Sequence, residues 1–389
     1  MGSISGKRRN AGLRWALALV VAPVMASAHD HARAGVKDLY VVEALLNQVQ
    51  VVRTNGAGIP STLGTVIPVG NIASQARTTP DGSAVWVVNA GDSTVTSINT
   101  YSKLATTFSI GSPNADYPSF LTFSPNGSKA YIVDAGTNQV AIVDVYHKTV
   151  VKTIPVGNLP AEIAITPDGS KLYVANLGDN TVSVIDSAQQ KVVATVTIPC
   201  NGPNNCQPTT GNNPIDYSPP SPEGVRVSPD GRFVYVTDAY NYNIGSSTGI
   251  YQPVQPGQVT IIRTSDNHIV KTIANSGGFT PADVGFSLDG SKAFVVNGGN
   301  DNFPDNRIGV IDTASQTLTK VITETAPATG ASEVDPDNCD NVIYIPNFGT
   351  GSGGESVVTI NAATQKVASV FALPAASFAQ TLAVVPVGP

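Results

Sequence analysis

The chain has 389 residues, a formal charge of −6, 36 glycines, 28 prolines and only 13% charged residues. Globular proteins carry about 25% charged residues, so this surface is mostly neutral and polar, and the composition excludes helical bundles and coiled coils. Plentiful β-branched residues exclude a disordered chain, and the negative charge argues against nucleic acid as a partner.

The first segment reads as a targeting signal. Lys7, Arg8, Arg9 and Arg14 form a basic region, the apolar run Trp15 to Met25 follows, and Ala26-Ser27-Ala28 is a small-x-small cleavage site. Residues 1–28 are expected to be a signal peptide and 29–36 a short extension; Ala32-Arg33-Ala34 offers a second cut. The apolar run is too short for a bilayer of ~30 Å, and no other stretch is long enough for a transmembrane segment. Removing the four basic residues takes the charge from −6 to −10. The expected location is secreted or periplasmic. In an oxidising compartment Cys200 and Cys206 are expected to form a disulfide. Cys339 is left as a buried thiol or an intermolecular bridge.

The rest is organised by an internal repeat. The clearest unit begins at Pro160: PAEIAITPDGSKLYVANLGDNTVSVIDSAQQKVVATVTIP. It holds four short strands with turn residues between them. The Pro-Asp-Gly turn recurs at Pro80-Asp81-Gly82, Pro125-Asn126-Gly127, Pro167-Asp168-Gly169, Pro229-Asp230-Gly231, Leu288-Asp289-Gly290 and Pro336-Asp337-Asn338. A seventh unit is split: Lys37 to Arg53 matches the second and third strands, and Ala379 to Pro386 matches the first. A repeat cut across both ends of a chain is how a ring of sheets closes. The expected fold is all-β, a seven-bladed β-propeller over residues 37–389 with four-stranded blades.

The second strands end in Trp86-Val87-Val88-Asn89, Tyr131-Ile132-Val133-Asp134, Tyr173-Val174-Ala175-Asn176, Tyr235-Val236-Thr237-Asp238, Phe294-Val295-Val296-Asn297 and Tyr344-Ile345-Pro346-Asn347. This repeat resembles that of the YVTN β-propellers, named for Tyr-Val-Thr-Asn. The resemblance implies the propeller fold and says little about function, because propellers host binding modules and several enzyme classes.

Function is sought where the repeat breaks. Two long insertions run from Cys200 to Ser221, between blades, and from Ala239 to Gly257, between a second and a third strand. Shorter extensions lie at Gly298–Asn306 and Phe348–Glu355. The family resemblance implies that all four share one face. Tyr217, Tyr240, Tyr242 and Tyr251, with Phe303, are the candidate ligand-binding residues. Flat aromatics among amides and hydroxyls suit a glycan or an extended peptide; the alternative is that they pin the loops down.

Two sets of residues carry candidate chemistry. The last signature position gives Glu43, Asn89, Asp134, Asn176, Asp238, Asn297 and Asn347. Hard oxygen donors suit Ca²⁺ or a similar divalent ion, and lactonases built on other propellers are similar in using such a set around a central metal. Glu43, Asp134 and Asp238 break the Asn pattern and are the candidate metal ligands, against the alternative that this position caps turns. The first strands, nearest the axis, are expected to place Arg77, Arg226 and Glu333 in the channel, as an ion network or as an anion site. Only four histidines occur, and His147 and His268 fall in third-to-fourth-strand turns. No central histidine is expected, which disfavours haem ligation and histidine-dependent lyases.

The expected function is a monomeric extracytoplasmic propeller that binds a partner protein or glycan, requires no cofactor and has no assigned catalytic residue. The alternatives are a metal-dependent lactonase or lyase and an accessory subunit of a periplasmic redox enzyme.

Overall fold

In the computed structural model the described residues are 35–111, 117–199, 221–239, 242–244, 251–253, 256–298, 305–324, 335–337, 341–347, 355–374 and 379–386. Within them the chain is antiparallel β-sheet apart from one 3-10 turn at Ala44–Leu46. Seven four-stranded sheets form. Counted outward from the axis, blade 1 contains Ala379–Pro386, Lys37–Glu43, Gln48–Thr54 and Pro60–Pro68, so the two ends of the repeat meet in one sheet. Blade 2 contains Ala73–Thr78, Ala84–Asn89, Thr94–Asn99 and Ala105–Ser109. Blade 3 contains Pro118–Phe123, Lys129–Asp134, Gln139–Asp144 and Thr149–Pro155. Blade 4 contains Pro160–Ile165, Lys171–Asn176, Thr181–Asp186 and Lys191–Thr197. Blade 5 contains Ser221–Val227, Phe233–Ala239, Gln258–Arg263 and His268–Ile273. Blade 6 contains Pro281–Phe286, Lys292–Asn297, Arg307–Asp312 and Thr317–Thr323. Blade 7 contains Asp335–Asp337, Val342–Asn347, Ser356–Asn361 and Lys366–Ala372. The first strands of consecutive blades touch in an unbroken circle, from blade 1 round to blade 7 and back. The protein is a seven-bladed β-propeller.

Burial explains the strand sequences. A second strand is sandwiched between neighbouring blades, so Lys171–Asn176 is buried from its second residue onward. Blades splay apart with radius. The fourth strands Lys191–Thr197 and Lys366–Ala372 therefore alternate between more and less exposed residues, as half-buried strands do. Each blade junction has its own apolar core. Tyr40, Val49 and Ile67 of blade 1 pack on Val85, Val87 and Ile98 of blade 2. Similar clusters join blades 2–3, 3–4, 4–5, 5–6 and 6–7. The last joins Val342, Tyr344 and Val357 of blade 7 to Leu39, Val41 and Leu382 of blade 1.

Tyrosine hydroxyls reach across the junctions. Tyr173 donates to Asn267 Oδ1 of the next blade at 2.9 Å, and Tyr344 donates to the Gly58 carbonyl at 2.6 Å. The expected turns form at five of six sites. Asp81 Oδ1 accepts from Thr79 Oγ1 and from the Ser83 N–H, while Gly82 takes φ 71°. Asn126, Asp168, Asp230 and Asp289 repeat the device. The sixth differs. Pro336 and Asp337 lie within a strand, paired with Ile343 and Val342.

Candidate functional site

Antiparallel alternation sorts the connections. Turns after first and third strands lie on one end of the ring, here the turn face. Loops after second strands and the linkers between blades lie on the other, the linker face. The bases of both long insertions are therefore on the linker face, at blade 5. One insertion leaves after Pro199 and the other returns at Gln258, and Gln258 Nε2 donates to the Pro199 carbonyl at 3.0 Å. Within the second insertion, Tyr242–Ile244 and Tyr251–Pro253 pair as a hairpin, which carries Tyr242 and Tyr251. Tyr217, Tyr240, Phe303, Cys200, Cys206, Cys339, Glu333 and residues 1–34 lie outside the described residues.

The channel is lined by a β-bulge repeated in blade after blade. Register shifts fall after Ala73, Pro118, Pro160, Pro222 and Pro281. A bulge re-aims the side chains beside it, and the third residue of the strand then serves the next blade. Gln75 Oε1 accepts the Leu121 N–H at 2.6 Å, and Glu162 Oε2 accepts the Val225 N–H at 3.1 Å. These contacts satisfy inner-edge N–H groups that have no further strand to pair with.

Arg226 spans two blades, with its Nη2 at 2.6 Å from Asp283 Oδ2 and 3.5 Å from Glu162 Oε1. Arg77 approaches Glu162 Oε1 at 3.9 Å. Glu162 and Asp283 have side chains only 3% exposed, and the arginines 16–17%. Buried charges persist when paired and hydrogen-bonded. The structure thus brings Arg77 and Arg226 together, through partners that the sequence reading missed. The available signal was the acidic residue of Pro160-Ala161-Glu162 and Pro281-Ala282-Asp283.

Arg77 pairs with Trp86 and Arg226 with Tyr235, and the matching partner of Tyr344 is Asp335.

The signature residues cap their own blades. Asn89 Nδ2 donates to Thr94 and Thr96 at 2.9 and 3.0 Å, and its Oδ1 accepts the N–H of Gly70 from the incoming linker. Asn176 donates likewise to Thr181 and Ser183. Asp134 accepts the N–H groups of Tyr117 and Gly136. Glu43 Oε2 accepts from Gln48 at 2.5 Å, and burial raises its pKa. Glu43, Asp134 and Asp238 therefore sit on three different blades with separate partners. Among the described residues, no three His, Cys, Asp or Glu side chains are grouped to hold a metal. The residues present do not fit the expected metal centre, and no chemistry is derived through one.

Asp238 is the exceptional member. It is fully buried. Its Oδ2 accepts from Thr260 at 2.9 Å and Gln258 at 3.2 Å, while Oδ1 has no partner. In blade 2 the corresponding oxygen takes a linker N–H, and in blade 5 the linker is the first insertion. Burial pushes the Asp238 carboxyl up to about 7; the two hydrogen bonds oppose this and the charge of Glu223 adds to it. Glu223 follows Pro222, the register partner of Asp238, and loss of solvent pushes it up to about 7 as well. Elsewhere Glu223's position holds Ser74, Ser119, Ala161 or Ala282, a break in the repeat that was readable and not read. Two carboxyls that titrate near neutrality thus lie at the base of the two insertions. On the turn face, by contrast, hydrogen bonds hold Asp81, Asp168 and Asp289 below the usual range.

Comparison with known proteins supports the fold. Residues 45–204 match the model of a family described as Lactonase, 7-bladed beta-propeller, which covers less than half of the chain. Searching curated proteins finds no match. Among solved structures, a functionally unknown protein from Desulfotomaculum acetoxidans is similar with TM-score 0.63 at 17% identity, over 90% of this chain and 99% of that one. Kuenenia stuttgartiensis hydrazine synthase is similar with TM-score 0.58 at 21% identity, over 74% of this chain and 76% of that one. At these identities the likeness is one of fold. No helix among the described residues is long and apolar enough to cross a membrane.

Proposed function

We propose that this propeller is an extracytoplasmic binding scaffold that holds a neutral polar ligand, a glycan or a polar peptide segment of a partner, on its linker face above blade 5. The observation that carries the reading is the hydrogen bond from Gln258 to the Pro199 carbonyl. It ties together the bases of two long, charge-poor insertions. Binding residues concentrate on loops that a scaffold positions. The test is a glycan array and a partner pull-down with Tyr240→Ala, Tyr251→Ala and the wild type. Both variants are expected to lose binding at unchanged thermal stability. Binding that survives both substitutions would overturn the reading.

The lactonase match over residues 45–204 favours a second reading, hydrolysis of a ring ester. A general base for water attack needs a pKa near the working pH, and Glu223 and Asp238 meet that requirement. Simple lactones turned over by the wild type and not by Glu223→Gln would support it. No turnover by the wild type would leave the binding reading alone.

A further inference from the structure

The junction between blades 6 and 7 departs from the repeat in two linked places. The residue after a blade's fourth strand is apolar in five blades: Val69, Ile110, Val156, Ile198 and Leu373. Each gives its N–H to the residue that precedes the third strand. In blade 6 the same backbone bond is made by Glu324, to the Asn306 carbonyl at 2.9 Å. A carboxyl therefore stands where the other junctions bury a hydrocarbon side chain.

The second departure faces it on blade 7. Asn89 and Asn176 each donate to two hydroxyls of the neighbouring third strand. The residues in those positions opposite Asn347 are Ser356, its register partner, and Val358. Valine accepts nothing, and Asn347 Nδ2 instead donates to Glu324 Oε2 at 3.1 Å.

The exchange leaves a surplus of oxygen. Glu324 Oε1, Asn347 Oδ1 and Ser356 Oγ have no hydrogen-bond partner. The three residues are 3%, 1% and 3% exposed. A carboxylate oxygen and an amide oxygen offer lone pairs only, so neither satisfies the other. Buried groups of this kind are normally paired. Glu355, 2% exposed, precedes Ser356 and adds a second buried acidic residue at the same strand end. The Ser356 hydroxyl has one proton to give and so satisfies one of these oxygens at most, whereas a hard cation takes all three.

We propose that this junction binds a divalent cation of the calcium type through Glu324, Asn347 and Ser356, and that the ion clamps blade 7 to blade 6. One carboxylate among neutral oxygens places the affinity with that of extracellular calcium modules, on the order of 10⁻⁴–10⁻³ M. The site lies at the junction of blades 6 and 7 and does not rest on the binding reading above.

The test uses chelator-treated full-length protein, calcium chloride as the probe, and the variants Glu324→Gln and Glu324→Val. Valine is the residue that Val156 already supplies at the same position of blade 3, and glutamine keeps the shape if valine fails to fold. Equilibrium dialysis is expected to find one calcium per chain more in the wild type than in either variant. About 10 mM calcium is expected to raise the wild-type Tm by about 2–4 °C and to leave the variants unmoved. Equal stoichiometry and equal Tm shifts in wild type and Glu324→Gln would overturn the proposal. So would a wild type indifferent to calcium at that concentration, which would assign the orphan oxygens to a proton and trapped water.

Discussion

Asp238→Asn tests whether the acid in blade 5 is a strained departure from a repeat that prefers an amide. Asn89 and Asn176 show the arrangement that the variant would adopt, with Nδ2 donating to the third-strand hydroxyls. In blade 5 the hydroxyl of Thr260 stands ready to rotate and accept. The wild-type carboxyl titrates near 7 in the fold, against 3.8 ordinarily. The sign follows from linkage. A raised pKa means that the folded state binds the proton more tightly than the unfolded state, so stability is highest below about pH 4. It declines as pH rises toward 7, and above 7 the full cost is present. At about 1.4 kcal/mol for each tenfold change, that cost is about 4 kcal/mol. Part of it remains on Glu223 in the variant, which leaves an expected gain of about 2–4 kcal/mol at pH 8 and little gain at pH 4.5. Urea unfolding at the two pH values reads the difference directly. A variant less stable than wild type at pH 8, or an equal change at both pH values, would refute the reasoning.

Four further sites give expected outcomes. Glu162→Ala is expected to cost about 3–5 kcal/mol in urea unfolding, because it strips Arg226 and Arg77 of an acidic partner and orphans the Val225 N–H. Glu162→Gln, which keeps an oxygen for that N–H, is expected to cost less. Tyr344→Phe loses the hydrogen bond to the Gly58 carbonyl and is expected to cost about 1 kcal/mol. Tyr235→Phe removes a hydroxyl that has no partner and is expected to be neutral or stabilising by the same assay. Gly169→Ala places a Cβ at φ 73°, 3.1 Å from Pro125 Cδ, and is expected to cost about 1–2 kcal/mol in urea unfolding.

The fold was readable because its signals are local. A Pro-Asp-Gly turn needs only its own neighbours, and the match of 379–386 to a first strand needs only the repeat pattern. Arg77 and Arg226 stood out because charge is conspicuous beside the axis. Their partners did not, since Glu162 and Asp283 belong to other blades and become neighbours only when the ring forms. Glu43, Asp134 and Asp238 stay on separate blades for a related reason. A recurring Asn or Asp at a strand end reports a capping role within each blade, and recurrence around a ring does not bring side chains to its centre.

The strand that completes blade 1 is the last of the ring to be made. Leu39 pairs with Val384 and Tyr40 with Ala383, across almost the whole chain. Until Ala379–Pro386 has emerged, Lys37–Glu43 keeps a bare inner edge and the blade 7 to blade 1 core lacks Leu382. A chain truncated before residue 379 is an arc with two raw sides, open to proteases and to other strands. Pairing of Ala379–Pro386 with Lys37–Glu43 covers that edge. Closure thus acts as a check on the ring, in which its last strand certifies the blades made before it.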